Sequence, residues 1–366
     1  MIIAVGVRAS EPQILLSEVS AMDTELTLLH SRTLVKHEYN PKHRLVSTFL
    51  DANVLDRAEY VPIHFSRLPR YFAEMEIDLA ILQVAYDPKL GYSFGTNPDY
   101  NSYFMKAKEV WVEVNKQMPW VQGPAFPADK ITRRIEVDYP LPEYVNPASA
   151  DDTYPRICAL LSPFIQDGTV LQLGIGKLQS CLRTDKKISV YSEMISDWVM
   201  ELNADSIVAG FGMGSQKFYD WLDHNPKVEL RPIGTINHPS SFMRFKDFVS
   251  INSALEVDLF GQVASESLNY GQLSGTGGSN DFTAGAALAE NGVSIIAMPS
   301  TTSDGRSKIV SHLRNLVTIP RADIDYVVTE FGVAELRHKT VRERALALAS
   351  IAHPRHRKRL LACLPT

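Results

Sequence analysis

The sequence predicts an α/β fold made of two tandem α/β domains of related architecture with mainly parallel sheets. Three observations lead there. At 366 residues the chain exceeds what one ordinary hydrophobic core organises, so two domains are the default expectation. Short apolar runs alternate with helical patterns, the signature of buried parallel strands joined by crossover helices. Each half also opens with a strand that runs into a glycine turn: Ile2–Val5 into Gly6, and Thr169–Leu173 into Gly174-Ile-Gly176.

The elements follow in order. After the buried strand Ile2–Val5, Asp78–Val84 reads as a second strand, stopped near Asp87-Pro88 and Gly91, and Val110–Val114 as a third. Pro and Gly accumulate from Gln117 to Asn146, which marks a crossover and sets the expected domains at residues 1–145 and 146–366. A helix is expected over Asp151–Ile165, then the strand Thr169–Leu173. Glu193 and Asp197, four apart, read as sharing a helical face, with a first-turn or capping role. Gly174-Ile-Gly176 lacks the third glycine of a dinucleotide fingerprint, so no such site is expected there. Gly212-Met-Gly214 precedes a helix over Ser215–Asp223.

Composition excludes several classes. The formal net charge of -5 gives no general attraction to nucleic acid or to an anionic membrane, so a polyanion would need a local cluster of donors. Cys158, Cys181 and Cys363 show no zinc-site spacing, and their odd number argues against a disulfide scaffold and for a reducing, cytoplasmic setting. The apolar start is too short for a signal peptide, and no apolar run is long enough to span a membrane. His353 and His356, separated by Pro354 and flanked by basic residues, read as a surface segment, and no metal is assigned.

The most informative stretch is Phe248–Val263. Its odd positions, including Val249, Ile251, Leu255, Val257 and Leu259, are apolar, and its even positions include Ser250, Asn252, Glu256, Asp258 and Gln262. This period of two predicts a strand with a core face and a polar face that carries Glu256 and Asp258 together. On pattern alone, solvation is the better explanation of those carboxylates. The following Gly275-Thr-Gly-Gly278-Ser-Asn-Asp281 leads into a helix over Phe282–Ala289. Such a loop brings backbone N–H groups close to an anion, and Gly277 and Gly278 are candidates for that approach.

Ser250-Ile-Asn-Ser-Ala-Leu-Glu256-Val-Asp-Leu-Phe-Gly-Gln-Val263 together with Gly275–Phe282 resembles the acetyl-CoA hydrolase/transferase family, and within it the 4-hydroxybutyrate CoA-transferase branch. Further blocks agree: Leu171-Gln-Leu-Gly-Ile-Gly176, Tyr191-Ser-Glu-Met-Ile-Ser-Asp197, Ala297-Met-Pro-Ser-Thr301 and Val327-Val-Thr-Glu-Phe-Gly-Val-Ala334. The resemblance covers nearly the whole chain and implies an active site at the domain interface. It implies a CoA-transferase of short-chain acids: 4-hydroxybutyrate, butyrate, acetate, or a small dicarboxylate such as itaconate or succinate. Glu256 would be the nucleophile, passing through an acyl-glutamyl anhydride and a glutamyl–CoA thioester. It also implies that Ile233, Gly234, Thr235, Ile236 and Asn237 form a CoA-contacting loop and that Gly332 supplies a backbone donor. Coenzyme A is then a substrate rather than a tightly bound cofactor, small acids are the other partners, and a homodimer is the expectation. An acyl-CoA hydrolase with the same nucleophile, a non-catalytic acyl-CoA-binding protein and a sugar-phosphate isomerase are the competing readings.

Arg231, Arg244, Lys246, Arg337 and Lys339 lie near these blocks and are candidates for the phosphates of CoA. Against the family pattern the chain is short between Cys181 and Ser189 and between Leu202 and Val208; Trp198 stands where glycine is common and Asp325 where histidine is frequent.

Overall fold

The computed structural model describes residues 1–144 and 152–364, so the expected boundary at 145/146 and the first residue of the helix expected over Asp151–Ile165 lie outside the described residues. Two eight-stranded sheets organise the chain. From one edge, the first runs Ala58–Tyr60, Arg44–Ser47, Thr27–Leu29, Ile2–Val5, Leu79–Asp87, Glu109–Asn115 and Arg133–Val137, all parallel, with Gly91–Ser93 folded back antiparallel on Leu79–Asp87. The second runs Val228–Leu230, Ala204–Gly212, Ile188–Ile195, Val170–Leu173, Phe248–Asn252, Val293–Ala297 and Tyr326–Thr329, again parallel, and closes with Gly332–Glu335 antiparallel to its neighbour.

The central strands are apolar because helices cover both faces, so successive side chains are all buried. Leu79–Ala85 is buried without interruption, and so is Phe248–Asn252. In both sheets the strand order steps outward in both directions from the first strand of that half. Ile2–Val5 lies between Thr27–Leu29 and Leu79–Asp87, and Val170–Leu173 between Ile188–Ile195 and Phe248–Asn252. Such reversals leave a crevice outside the carboxyl ends of the strands.

Four sequence expectations are corrected. The crossover from Gln117 holds a full edge strand, Arg133–Val137, whose alternating exposure hides it among prolines. Glu193 and Asp197 do not share a helix: Glu193 ends in the strand Ile188–Ile195, and Asp197 opens a short 3-10 turn and accepts from the Ser215 N–H and hydroxyl. Cys158 and Cys181 form a disulfide, while Cys363 stays free and exposed; an odd count carries no information once one thiol is left out of the pairing.

The fourth concerns Phe248–Val263, which is not one strand. Phe248–Asn252 belongs to the large sheet, while Glu256–Asp258 belongs to a separate three-stranded sheet with Val263–Ala264 and Ile309–Val310. Asp258 is fully buried and accepts from Phe260 N (3.0 Å), Gln262 N (2.9 Å) and Gln262 Nε2 (2.8 Å). It closes the turn at Gly261, whose φ of +89° suits glycine. Glu256 is half-buried with one side-chain partner, Asn315. The two carboxylates are therefore separable by stability. Asp258→Ala should cost about 3 kcal/mol, because three donors lose a charged acceptor inside the protein. Glu256→Ala should cost less than about 1 kcal/mol. Urea midpoints of the two variants check the contrast.

Candidate active site

The two halves meet along the glycine loop. A Cβ on Gly275 would lie 2.8 Å from the Thr48 carbonyl oxygen and 2.9 Å from Phe49 Cα, so only glycine lets the loop lie flat against the first half. Thr276 fixes it there, with its N–H donating to Tyr60 Oη (2.9 Å) and its hydroxyl to the Ile63 carbonyl (2.8 Å). Asp281, in the first turn of the helix Ser279–Ala286, accepts from Ser66 N (2.9 Å), Ser66 Oγ (2.6 Å) and Asn237 Nδ2 (3.0 Å).

A cavity of about 440 Å³ lies along this seam. Arg32, Phe49 and Asp51 from the first half line it, facing Gln172, Glu193, Asn252 and the loop Gly275–Gly278 from the second. Most of these positions follow the carboxyl end of a parallel strand. Gln172, Ser250 and Asn252 hold one another: Ser250 Oγ and Asn252 Nδ2 both donate to Gln172 Oε1, and Gln172 Nε2 donates to Asn252 Oδ1. Gly277 (φ +58°) and Gly278 line the cavity, and their N–H groups have no protein acceptor among the described residues. A Cβ at Gly278 would overlap the Glu193 carboxylate and the Asn237 amide packed behind it.

Glu256 lines a second, larger cavity of about 840 Å³, and its neighbour Leu255 lines both this one and the seam cavity. The strand Glu256–Asp258 is pinned by pairing to Val263–Ala264 on one side and Ile309–Val310 on the other. Glu256 Oε2 accepts from Asn315 Nδ2 at 2.7 Å. The second cavity is basic: among the described residues Lys177, Arg306, Lys308, Arg314 and Arg359 line it against two acids, Glu256 and Glu330. Lys308 donates from Nζ to the Ala254 carbonyl (2.6 Å). Burial lowers its ammonium to about 8, although Glu256 and Glu330 nearby favour the charged form.

The structure distributes the expected residues unevenly. Glu256, Gly277 and Gly278 come to the two cavities. Ile233–Ile236 is a short helix packed at the seam, lining neither. Four of the five N–H groups of Ile233–Asn237 are already used: Gly234 N donates to Tyr103 Oη, Thr235 and Ile236 to the Pro232 carbonyl, and Asn237 to the Ile233 carbonyl. The segment expected to contact CoA thus has little backbone left to offer, and the Asn237 side chain instead supports Asp281 and Glu193 from behind. Gly332 (φ +142°) sits in the hairpin between Tyr326–Thr329 and Gly332–Glu335 rather than in a turn into a helix. It lines neither cavity, whereas Glu330, two residues earlier, lines the basic one.

The five cations named from the sequence also lie elsewhere. Arg231, Lys246, Arg337 and Lys339 pair with Glu229, Glu290, Asp325 and Glu335, and Arg244 stacks over Tyr191 and Phe245. Asp325 thereby has a structural role, and Trp198 is buried among apolar residues. The observed basic wall was missed; its one sequence signal is the run Arg306-Ser-Lys-Ile-Val-Ser-His-Leu-Arg314.

Comparison with known proteins agrees with this geometry. The acetyl-CoA hydrolase/transferase C-terminal domain matches residues 214–364. The chain is 40% identical over 336 residues to the 4-hydroxybutyrate coenzyme A transferase of Clostridium kluyveri, covering 85% of this chain and 78% of that protein. The crystal structure of RipA from Yersinia pestis superposes with a TM-score of 0.91 at 29% identity, over 99% of this chain and 93% of that one. A 4-hydroxybutyrate CoA-transferase from Porphyromonas gingivalis superposes with a TM-score of 0.80 at 31% identity, over 99% and 92%. The chain belongs to the acetyl-CoA hydrolase/transferase family and is an enzyme of that family.

Glu193 gives this site a pH signature. Enclosure in the cleft wall and the neighbouring Asp281 charge raise its carboxyl to about 7, against the pull of Arg8. Between its ordinary 4.5 and 7 the folded state therefore holds more protons than the unfolded chain, so stability falls as pH rises through that window and is insensitive to this group above it. Urea midpoints at pH 5 and pH 8 should differ less in Glu193→Gln than in the wild type.

Proposed function

We propose that the protein is a CoA-transferase for short-chain carboxylic acids that uses Glu256 as nucleophile, with coenzyme A in the basic cavity and the acyl chain in the seam cavity. The observation that carries this reading is the place of Glu256 in the wall of an electropositive cavity, next in the chain to Leu255, which lines both that cavity and the small, mixed apolar and polar one. The phosphates of CoA need several cations at once, and Arg306, Arg314 and Arg359 are suited to phosphate oxygens.

In the first half-reaction the Glu256 carboxylate attacks the thioester carbonyl. The carbon–sulfur bond breaks, CoA leaves as thiolate, and a mixed anhydride joins the acyl group to Glu256. The thiolate then attacks the glutamyl carbonyl, releasing the first acid as carboxylate and leaving a glutamyl–CoA thioester. A second acid attacks that thioester, and the freed thiolate takes the new acyl group, restoring Glu256. No water enters, so the thioester bond energy is retained. The free N–H groups of Gly277 and Gly278 are the donors best placed for an acyl oxyanion. Lys308 keeps a positive charge beside a site where negative charge moves between carboxylate, carbonyl oxygen and sulfur.

Mass spectrometry after incubation with acetyl-CoA should find the glutamyl adduct on Glu256, reducible by borohydride, and Glu256→Ala should lose at least about 10³-fold in rate. Active enzyme with an unmodified Glu256 would defeat the mechanism. CoA release that needs no added carboxylate would make the protein a hydrolase instead. Lys308 loses its proton near pH 8, so kcat should fall above that pH. Lys308→Arg, which stays charged, should move the fall upward by more than one pH unit.

A further inference from the structure

Arg32 is the only Lys or Arg among the residues lining the seam cavity, and nothing said so far uses it. It follows the strand Thr27–Leu29 and is 8% exposed. Its guanidinium lies over the Phe49 ring (5.0 Å to the centroid) and the Tyr144 ring (5.6 Å). Rings over its faces leave the N–H edge as the polar side. Yet among the described residues no side-chain or backbone oxygen accepts a hydrogen bond from that guanidinium. These donors line a cavity wall without a protein acceptor, which leaves them available to the oxygens of a ligand.

The backbone adds a second, independent sign. Arg32 holds φ +51°, in the left-handed region that a long side chain rarely occupies. It is pinned there by its N–H to the Phe49 carbonyl and by its own carbonyl accepting from Arg8 N. Strain of this kind persists where the surroundings impose it, and it gathers at ligand clamps.

The charges around Arg32 do not neutralise it by contact. Asp51 is engaged by Thr33 N (2.8 Å) and Asn53 N (2.8 Å), Glu193 bonds Asn237, and Arg8 is paired with Asp99. Among the described residues no carboxylate oxygen pairs with Arg32. Besides Asp51 and Glu193 and the polar Gln172, Asn252 and Thr276, the cavity wall is a mixture of Leu, Ile, Met, Ala, Gly, Ser and Phe that suits a short carbon chain.

We infer that Arg32 receives a second carboxylate at the far end of the acyl group, so that the acid handled in the seam cavity is a short dicarboxylic acid. This rests on the CoA-transfer reading above. The reacting carboxyl or thioester faces Glu256, and the remote carboxylate meets the fork of Arg32.

Acceptor selectivity tests it, with acetyl-CoA as donor and succinate, its monomethyl ester and butyrate as acceptors. Wild-type enzyme should show kcat/KM for succinate at least tenfold above both others, because only succinate presents the second charge. In Arg32→Leu the succinate-to-butyrate ratio should drop about 100-fold, the scale of removing one partner of an enclosed charge pair. Arg32→Lys should recover part of that ratio. A wild-type preference for butyrate or the ester, or a ratio that moves less than tenfold in Arg32→Leu, overturns the inference. The wild-type comparison stands alone if the variants do not fold. Absence of transfer to any of the three acids, together with an unmodified Glu256, would instead sink the CoA-transfer reading.

Discussion

Everything at this site depends on two backbones lying almost in contact at Gly275. The loop Gly275–Gly278 reaches the first half because no Cβ intervenes between it and Thr48–Phe49. Thr276, with Tyr60 and Ile63, and Asp281, with Ser66, then fasten the two halves with directional bonds to buried or half-buried groups. Apolar contact alone is non-directional and would tolerate sliding of one sheet layer on another. A set of short hydrogen bonds on both sides of a glycine does not, and so the seam cavity keeps one shape. The carboxyl ends of both parallel sheets open onto that seam, so loops from each half supply side chains to one wall apiece.

Glu256 is held by a different device. It does not ride on the large sheet, whose strand ends at Asn252. The chain leaves that sheet at Ser253, and a small three-stranded sheet takes over. This offset places Glu256 in the wall of the basic cavity, while Asp258 turns inward to tie the Gly261 bend. One carboxylate is spent on geometry and the other is left with a single partner. In the proposed mechanism Glu256 is the nucleophile and needs that freedom, because each hydrogen bond to a carboxylate stabilises the charge that must be given up on attack.

Much of the fold was legible in the sequence because buried parallel strands announce themselves as mainly apolar runs, as at Ile2–Val5, Asp78–Val84 and Thr169–Leu173. Short-range patterns failed where tertiary contacts decide the matter. The alternation through Phe248–Val263 is real, but it spans two sheets, since a period of two says nothing about which partner strand is chosen. Glu193 and Asp197 have helical spacing by coincidence, and the fold used them at the end of a strand and in a 3-10 turn. The family resemblance pointed to Glu256, and the glycine loop is where the halves join. The basic wall escaped because Lys177, Arg306–Arg314 and Arg359 come from three separated segments that only the fold assembles. Of the cations nearest the motif blocks in sequence, four are taken by carboxylates and Arg244 by the Tyr191 and Phe245 rings.

The distribution of unsatisfied and strained groups separates stability from function in this molecule. Each sheet layer is closed by apolar clusters whose members are nearly all inaccessible to water. Such clusters supply most of the folding free energy and leave little polar chemistry unpaired. At the seam the rule is reversed. There Arg8 and Arg32 both hold positive φ, Glu193 sits on a raised pKa, and the N–H groups of Gly277 and Gly278 face a cavity without protein acceptors. None of these states is favourable by itself, and they occur together only where the two halves overdetermine one another's geometry. A ligand that brings a carboxylate, a carbonyl oxygen and an anionic tail relieves several of them at once. Binding energy is then available at the points where charge must move, which is what a reaction carried by one carboxylate requires.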